Sequence, residues 1–476
     1  MQQKDTMLPA GYDLAVERLD DWMRLKYSFD VIGRKMSVGD RKATMYFVDG
    51  FIKDEIMEKI MEFTMKLTAD DLKELSETQT FADRFIPYVE VDLSDRLDKI
   101  ATAILSGTIG LLVEGYPQVI LIDARTYPAR SVGEPDDDRV LRGSRDGFVE
   151  TLVFNTALIR RRIRDPRLTM EILQIGKVSK TDVVVCYLDG RADPKIVEQV
   201  KRELEKININ SLNMGQESLS ECLLRRQWYN PFPKIRYTER PDCAAAGVAE
   251  GRVLVIIDNT PAVMILPTSL FDFVQDTNDY YFPPLVGTYL RTVRSVVFFL
   301  TLFLTPVWYL LMRNPDWIPA WLDFVRIKEM NSVPIIVQLL IVEFMIDGIK
   351  LASLNTPSVL NNAFGVVGAL LLGEFAVSAG LFVPEVLLYM AFVSVSNFTQ
   401  PSFELGYAFK LFRILFLILT ALLGFWGFAA GVLLMLVILA TTRTVTGRKY
   451  LYPLLPFNRA AFVRLLLRRP IDNQNS

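Results

Sequence analysis

An uncharged, strongly apolar run from Ser295 to Met312 constrains the fold of this chain more than any other feature. The run reads SVVFFLTLFLTPVWYLLM, and its length is close to the ~20 residues that a helix needs to cross the hydrocarbon core of a bilayer. Pro306 is compatible with such a helix because neighbouring spans can satisfy the carbonyl that it frees. The run lies far inside the chain and carries no cleavage pattern, so it is not expected to be a signal peptide. The sequence therefore predicts a membrane protein with a large N-terminal head.

Further apolar runs follow the first, at Val333–Ile349, Asn362–Val383, Pro384–Phe398, Phe409–Leu423 and Phe425–Thr441. Charge is uneven along the chain: residues from Arg291 onward contain 15 Lys/Arg and 9 Asp/Glu, a net of +6, so the first 290 residues contain 38 and 46, a net of −8. With the head inside and six crossings, the basic end of the chain falls on the cytoplasmic side, as the positive-inside rule requires. The alternative is five crossings, with Val333–Ile349 lying along the interface as an amphipathic helix.

Two segments of the head resemble each other. Arg41–Phe63 and Lys180–Leu204 each consist of an apolar strand, an Asp-Gly turn and an acidic residue that opens an amphipathic helix. A second matched pair, Gly107–Ile122 and Gly251–Leu266, reads as strand, acidic turn with Pro, and strand. The spacing from the first segment to the second is similar in both pairs, which favours an internal duplication. We therefore predict two related α/β subdomains, each with a mixed sheet.

The predicted fold class is an α+β membrane protein: a cytoplasmic head of two α/β subdomains, followed by a polytopic α-helical transmembrane domain. The polar stretch GEPDDDRVLRGSR reads as the linker between the subdomains. The predicted boundaries are an N-terminal tail at 1–19, subdomain I at 20–132, the linker at 133–145, subdomain II at 146–282, the transmembrane domain at 283–442 and a basic cytoplasmic tail at 443–476.

Composition excludes several kinds of chemistry. The chain contains no histidine, which rules out a Ser-His-Asp triad, a Cys-His dyad and a histidine zinc site. Neither a GxxxxGK[ST] loop nor a strand-linked GxGxxG is present. The acidic head does not favour nucleic-acid binding. An enzyme is not expected, and neither a cofactor nor a bound metal is.

The segment Ser144–Leu168 contains a run of arginines after a helical pattern. These arginines could bind phosphate or anionic lipid, or they could form a solvated or subdomain-bridging basic face, as charge runs usually do. The candidates for an inter-subdomain or anion contact are Arg160, Arg161, Arg162 and Arg164.

Acidic residues inside the apolar runs are costly unless they face a bundle interior or water. Glu343 and Asp347 could line a hydrated cation path, or pair with Arg or Lys and only fix packing. Glu374 lies at the centre of a Gly/Ala-rich run, where small residues allow close packing around a pore. The candidate pore-lining residues are Asn362, Val366, Ala369, Gly373, Glu374 and Ala376.

Four long motifs carry a family resemblance: SRDGFVETLVFNTALIRRRIRDPRL, GKVSKTDVVVCYLDGRADP, GVVGALLLGEFAVSAGLFVPEVLLY and TGRKYLYPLLPFN. In this order they resemble the GerA/SpoVAF family of spore germination membrane proteins, from about Asp20 to Asn458. The stretches Phe273–Arg294 and Ala379–Tyr389 are similar to the SpoVAF branch of that family. Glu374 departs from the pattern, because the A subunits of nutrient receptors tend to carry an uncharged polar residue there.

The resemblance implies a pentamer in the spore inner membrane, with the head on the spore-core side and a central pore that releases monovalent cations and amplifies ion release early in germination. It also implies a small membrane partner such as FigP, contact with membrane lipid and possible contact with other germination proteins. Two other functions stay open. One is a signalling or scaffold subunit that does not conduct. The other is an accessory to dipicolinic acid transport. We rank it last because an anion path prefers Arg or Lys along the spans, whereas the predicted spans are interpreted as containing only acidic residues.

Overall fold

A computed structural model of the chain describes residues 6–52, 54–73, 77–125, 143–224, 229–276, 278–329, 331–355 and 373–466. The chain divides into two compact units. The head unit comprises Met1–Arg226 and Ile235–Thr268, and the helical unit comprises Gln227–Lys234 and Ser269–Ser476.

The head unit contains two five-stranded sheets with the same strand order. The first has the order β1-β2-β4-β5-β3 and the second β6-β7-β9-β10-β8. The strands are β1 Val31–Val38, β2 Arg41–Val48, β3 Val91–Ser94, β4 Ile109–Val113, β5 Val119–Ile122, β6 Leu168–Ile175, β7 Thr181–Leu188, β8 Arg236–Thr238, β9 Val253–Ile257 and β10 Val263–Leu266. The repeated order shows that the two sheets are built on the same plan.

The turns on which the duplication was predicted occupy equivalent places in the two sheets. Gly50 follows β2 with φ +80°, and Gly190 follows β7 with φ +78°, a backbone conformation that glycine adopts without steric cost. The Asp193 side chain caps the next helix in the second repeat by accepting a hydrogen bond from the Lys195 backbone N–H at 3.1 Å.

The prediction of mixed sheets was wrong, because every strand pair among the described residues is antiparallel. In each repeat the helical insert carries the chain to the far edge of the sheet, where the third strand lies. The following hairpin, β4–β5 or β9–β10, then enters between that edge strand and the first hairpin. Neighbouring strands therefore run in opposite directions throughout.

Helices cover both faces of the first sheet. The apolar side chains of α1 and α5 pack on one face, and those of α2 to α4 pack on the other. The helices of the head unit are α1 Tyr12–Trp22, α2 Asp54–Met65, α3 Ala69–Leu72, α4 Thr78–Phe85, α5 Leu97–Leu105, α6 Leu152–Arg162, α7 Pro194–Glu205, α8 Gln216–Leu223 and α9 Pro241–Ala249.

The boundaries of the two units differ from those in the sequence analysis. Helix α1 begins inside the predicted tail, and its Leu19 is fully buried in the first subdomain. The head unit ends at Thr268, so residues 269–282 belong to the helical unit. Most of the predicted linker, 133–142, lies outside the described residues.

The helical unit is built from α10 Asn278–Tyr281, α11 Pro284–Arg313, α12 Ile335–Asn355, α13 Glu374–Ser378, α14 Pro384–Asn397, α15 Phe403–Leu423, α16 Phe425–Thr441 and α17 Arg459–Leu466. Short 3₁₀ helices occur at Leu270–Phe273, Pro315–Trp317 and Ala320–Val325. Helix α11 continues through Pro306, as predicted, and α15 and α16 form a hairpin at Gly424.

Two helices of the described chain, Pro284–Arg313 and Phe403–Leu423, are long and apolar enough to cross a membrane, and Phe425–Thr441 is apolar but shorter. The α11 and α15 helices run parallel: Phe298, at the middle of α11, meets Phe409 near the start of α15, and Arg313, at the end of α11, reaches the Thr420 carbonyl near the end of α15. Helix α12 runs antiparallel to α15. Six crossings remain a prediction.

Candidate functional site

Four charged side chains from two helices meet in the interior of the helical unit, and we call them the ion cluster. Glu343 and Asp347 are four residues apart on α12, and Lys410 and Arg413 are three apart on α15, so each pair occupies one helix face. Arg413 Nη2 lies 2.5 Å from Glu343 Oε1, and Lys410 Nζ lies 3.2 Å from the same oxygen. Lys410 also contacts the Asp347 carboxylate.

Burial makes this pairing energetically important. The side chains of Glu343 and Arg413 are each 5% exposed, whereas that of Asp347 is 34% exposed. An unpaired charge at such depth is strongly destabilising, and an opposite charge in hydrogen-bonding contact offsets much of the desolvation cost. Of the two alternatives for the acids of α12, the structure shows pairing with Lys and Arg.

The interpretation that the spans hold only acids was wrong. Lys410 and Arg413 lie well inside α15, one of the two candidate spans, and both are buried. Cations at this depth are tolerated because the acids of α12 neutralise them. Arg413 Nη1 also donates to the Thr301 carbonyl of α11 at 2.8 Å, so this one guanidinium links three helices.

A small cavity of about 10 Å³ adjoins the ion cluster, with room for about one water molecule. Glu343, Lys350, Asn397 and Arg413 are among its lining residues. Three buried polar atoms of these residues have no hydrogen-bond partner: Glu343 Oε2, Asn397 Oδ1 and Arg413 Nε. One water could donate to both oxygens and accept from the guanidinium, which would satisfy all three atoms.

Half of the six candidate pore-lining residues lie outside the part of the chain that the structure describes. Asn362, Val366 and Ala369 lie outside the described residues. Gly373 directly precedes the short helix α13, which begins at Glu374. Ala376 is 5% exposed and belongs to an apolar cluster formed with residues of α11, α12 and α14. A pore wall in this segment stays a prediction.

The arginine run of α6 has different roles at its four positions. Arg160 is fully buried and binds Asp30 of the first subdomain with two hydrogen bonds, Nε to Oδ2 at 2.8 Å and Nη2 to Oδ1 at 3.0 Å. Arg162 contacts Asp146 and Ser144 within the second subdomain. Arg161 is partly exposed and Arg164 exposed. At Arg160, therefore, the subdomain-bridging alternative describes the contact.

Sequence reasoning missed the cationic half of the ion cluster and the aromatic segment around Phe232, which belongs to the helical unit. The sequence did contain a signal for the cationic half of the ion cluster. One apolar run holds two cations three residues apart, and another holds two acids four residues apart, so each pair can lie on one helix face and the two pairs can face each other. Nothing local marks Phe232, because its partners Phe409 and Phe412 lie far along the chain.

The structure thus joins a duplicated antiparallel α/β head to a unit of apolar helices that contains a buried ion cluster. The sequence model of the Bacillus/Clostridium GerA spore germination proteins matches residues 20–476. The chain belongs to this GerA family, which confirms the resemblance carried by its motifs.

Relatives in Bacillus subtilis (strain 168) are similar over almost their whole length. Stage V sporulation protein AF is 37% identical over 446 residues, which cover 93% of this chain and 89% of the relative. Spore germination protein KA is 29% identical, over 98% of this chain and 87% of the relative. Their names describe sporulation and germination, and the chain is accordingly a GerA-family membrane protein of sporulation and germination.

A solved structure is also similar: the N-terminal domain of the A subunit of the Bacillus megaterium spore germinant receptor GerK3. It shares 22% sequence identity with this chain, with a TM-score of 0.41, over 55% of this chain and 96% of that one.

Proposed function

We propose that the chain is the pore-forming subunit of a homo-oligomeric, pentameric cation channel of the spore inner membrane that amplifies ion release during germination. Family membership supports a role in germination. The observation that carries the cation path is the distribution of acids. Two of the four acids in the apolar runs, Glu343 and Asp347, are neutralised by Lys410 and Arg413.

This pairing narrows the proposed path to the segment that contains Glu374. The ion cluster anchors α12, which leads directly into that segment along the chain. A ring of acids contributed by several copies of the chain would attract cations and repel anions, as in other cation-selective pores. Small residues in the same segment would allow the copies to approach closely.

The proposed orientation places the head in the spore core. The C-terminal region is rich in Arg and Lys from Arg443 onward, and such clusters favour the cytoplasmic side. Membrane lipid, a small membrane partner of the FigP type and other germination proteins are the proposed partners of the assembled channel.

Two alternatives make different predictions. A scaffold subunit would bind partners through its two-subdomain head and would not conduct by itself. An accessory of dipicolinic acid transport would need cations facing the path. Lys410 and Arg413 are inside a candidate span, but both already face acids of α12, so this alternative still ranks last.

Reconstitution of the purified full chain tests the proposal. We expect a single oligomeric mass in detergent and K⁺ efflux from loaded vesicles with the chain alone, or with its small partner added. Val366→Ala and Val366→Trp should change the efflux, whereas the same substitutions at Val437, which is 49% exposed on α16, should not. A monomeric chain with background efflux in both conditions would support the scaffold. Release of dipicolinate without K⁺ efflux would support the transport accessory.

A further inference from the structure

A short piece of chain between α8 and β8 belongs to the helical unit although both of its neighbours in sequence belong to the head unit. We call the described residues of this piece, 229–234, the coupling segment. The polypeptide leaves the head unit, packs within the helical unit and returns. The coupling segment is therefore covalently tied to the head at both ends.

An aromatic contact anchors the coupling segment on α15. The ring of Phe232 is 3% exposed and stacks on Phe412 at 5.2 Å between centroids, with 19° between the ring planes. The same ring meets Phe409 edge-on at 6.3 Å and 82°. Both arrangements are favourable for aromatic pairs and depend on geometry as well as on buried area. A displacement of Phe232 therefore acts directly on α15.

Polar contacts hold the coupling segment on either side of this ring. Asn230 Nδ2 donates to Thr442 Oγ1 at 2.7 Å, at the end of α16. The hydroxyl of Tyr450, a fully buried residue, donates to the Pro233 carbonyl at 2.6 Å. With both sides fixed, the segment has little freedom to move without its aromatic partners.

The residues of α15 that hold Phe232 are interleaved with those that hold α12. Phe409 is followed by Lys410, and Phe412 is followed by Arg413. Successive residues of a helix project about 100° apart, so a rotation of α15 that follows Phe232 also moves Arg413 relative to Glu343. A buried ion pair depends strongly on such geometry.

We infer that Phe232 is a positioning residue for conduction. Its stack on Phe412 sets the position of α15. The Arg413–Glu343 pair then sets the position of α12 and of the segment that follows α12. This inference rests on the proposed function and supplies its regulation. Packed interfaces of this kind switch between discrete arrangements rather than deform smoothly. A change in the head that pulls on the coupling segment would then alter the cation path.

The experiment compares full-length variants in vesicles of phosphatidylethanolamine and phosphatidylglycerol. The variants are Phe232→Ala, Phe412→Ala, the double variant, and Phe232→Tyr, which keeps the ring. Phe232→Leu, which keeps the apolar volume, replaces the alanine variant if that variant does not fold. Tyr229→Ala is the control, because Tyr229 is 55% exposed three residues away. K⁺ efflux and amide hydrogen exchange are measured on each variant.

We expect Phe232→Ala to raise basal K⁺ efflux by about fivefold or more, the lower limit for a typical coupling between sites. Phe412→Ala and the double variant should match it, since both substitutions break one contact. Amide exchange should rise in Ile335–Asn355, which an effect confined to α15 would leave unchanged. Phe232→Tyr should restore both readouts, and Tyr229→Ala should leave both unaltered.

Two results overturn the inference: efflux of Phe232→Ala that is unchanged or lower while the wild type conducts, or unchanged exchange in Ile335–Asn355. If the wild type passes no K⁺ either alone or with its small partner added, the proposed function fails. The exchange experiment then still decides whether Phe232 positions α12.

Discussion

Arg160 donates two hydrogen bonds to Asp30 across 130 residues of sequence, and neither side chain is more than 1% exposed. Arg160 Nη2 also donates to the Leu168 carbonyl and to Ser28 Oγ, so the guanidinium is held on several sides. Asp30 belongs to the first subdomain and Arg160 to the second. The two copies of the duplicated plan are therefore joined by a desolvated ion pair.

Removal of one partner of this pair should destabilise the head. We expect Asp30→Asn to cost about 3–5 kcal/mol, because it leaves Arg160 buried without a counter-charge. Asp189→Asn is the matched control: it breaks the Arg24–Asp189 pair, which also joins the subdomains but has its carboxylate half exposed. It should cost only about 0–1 kcal/mol. Thermal unfolding of the full chain in detergent measures both, and equal shifts in melting temperature would contradict the prediction.

The ion cluster predicts an asymmetry between its two acids. Glu343→Gln should cost about 3–5 kcal/mol, because Arg413 and Lys410 remain buried. Asp347→Asn should cost about 0–1 kcal/mol, since that carboxylate is 34% exposed and Lys410 keeps Glu343. Both are measured by thermal unfolding in detergent. A larger loss for Asp347→Asn than for Glu343→Gln would show that the pairing described here does not form.

Close packing of the α15–α16 hairpin predicts that Gly427 accepts no side chain. A Cβ at Gly427 would collide with the Leu419 carbonyl oxygen, which the backbone cannot easily move. We expect Gly427→Ala to cost about 1–3 kcal/mol through overpacking. At Gly348 of α12 a Cβ would meet nothing within 4 Å, so Gly348→Ala should stabilise the helix by about 1 kcal/mol. A Gly427→Ala protein as heat-stable as the wild type would rule out this contact.

The thiol of Cys186 should be inert in the folded head. Burial raises the pKa of this thiol from 9.0 to about 12, so it stays protonated at neutral pH. In a Cys222→Ser/Cys243→Ser variant, where Cys186 is the remaining thiol, maleimide should label the protein at pH 8 only after denaturant is added.

The same shift has a consequence for stability. Because the folded state disfavours the thiolate, the contribution of Cys186 to stability is complete below pH 9.0 and is lost as pH rises towards about 12. In the labelling experiment, fast reaction of maleimide with Cys186 of the native protein at pH 8 would show that β7 is not buried as described.

The duplication could be predicted from sequence because its evidence is local: Asp-Gly turns and the strands beside them repeat at similar spacing. The strand order could not, since it depends on where a helical insert carries the chain. The acids of α12 were identified for the same local reason. Their partners Lys410 and Arg413 required knowledge of which helices pack together, and only the fold supplies that.

Arg160 shows the same limit at a single residue. Its neighbours suggested an arginine-rich face, but Asp30 removes it from solvent. Likewise, the sequence of the coupling segment predicts an ordinary loop, and only the structure shows that Phe232 stacks on Phe412.

We propose that Glu374 faces a cation path, whereas Glu343 and Asp347 serve the packing of the helices. The most direct measurement is the K⁺ over Cl⁻ selectivity of vesicles that contain the full chain. A unit charge at 4 Å in water is worth about 1 kcal/mol, so Glu374→Gln should lower this selectivity by about fivefold. Asp316→Asn, at an exposed site beyond α11, should not change it. Equal selectivity in the wild type and in Glu374→Gln would contradict the account.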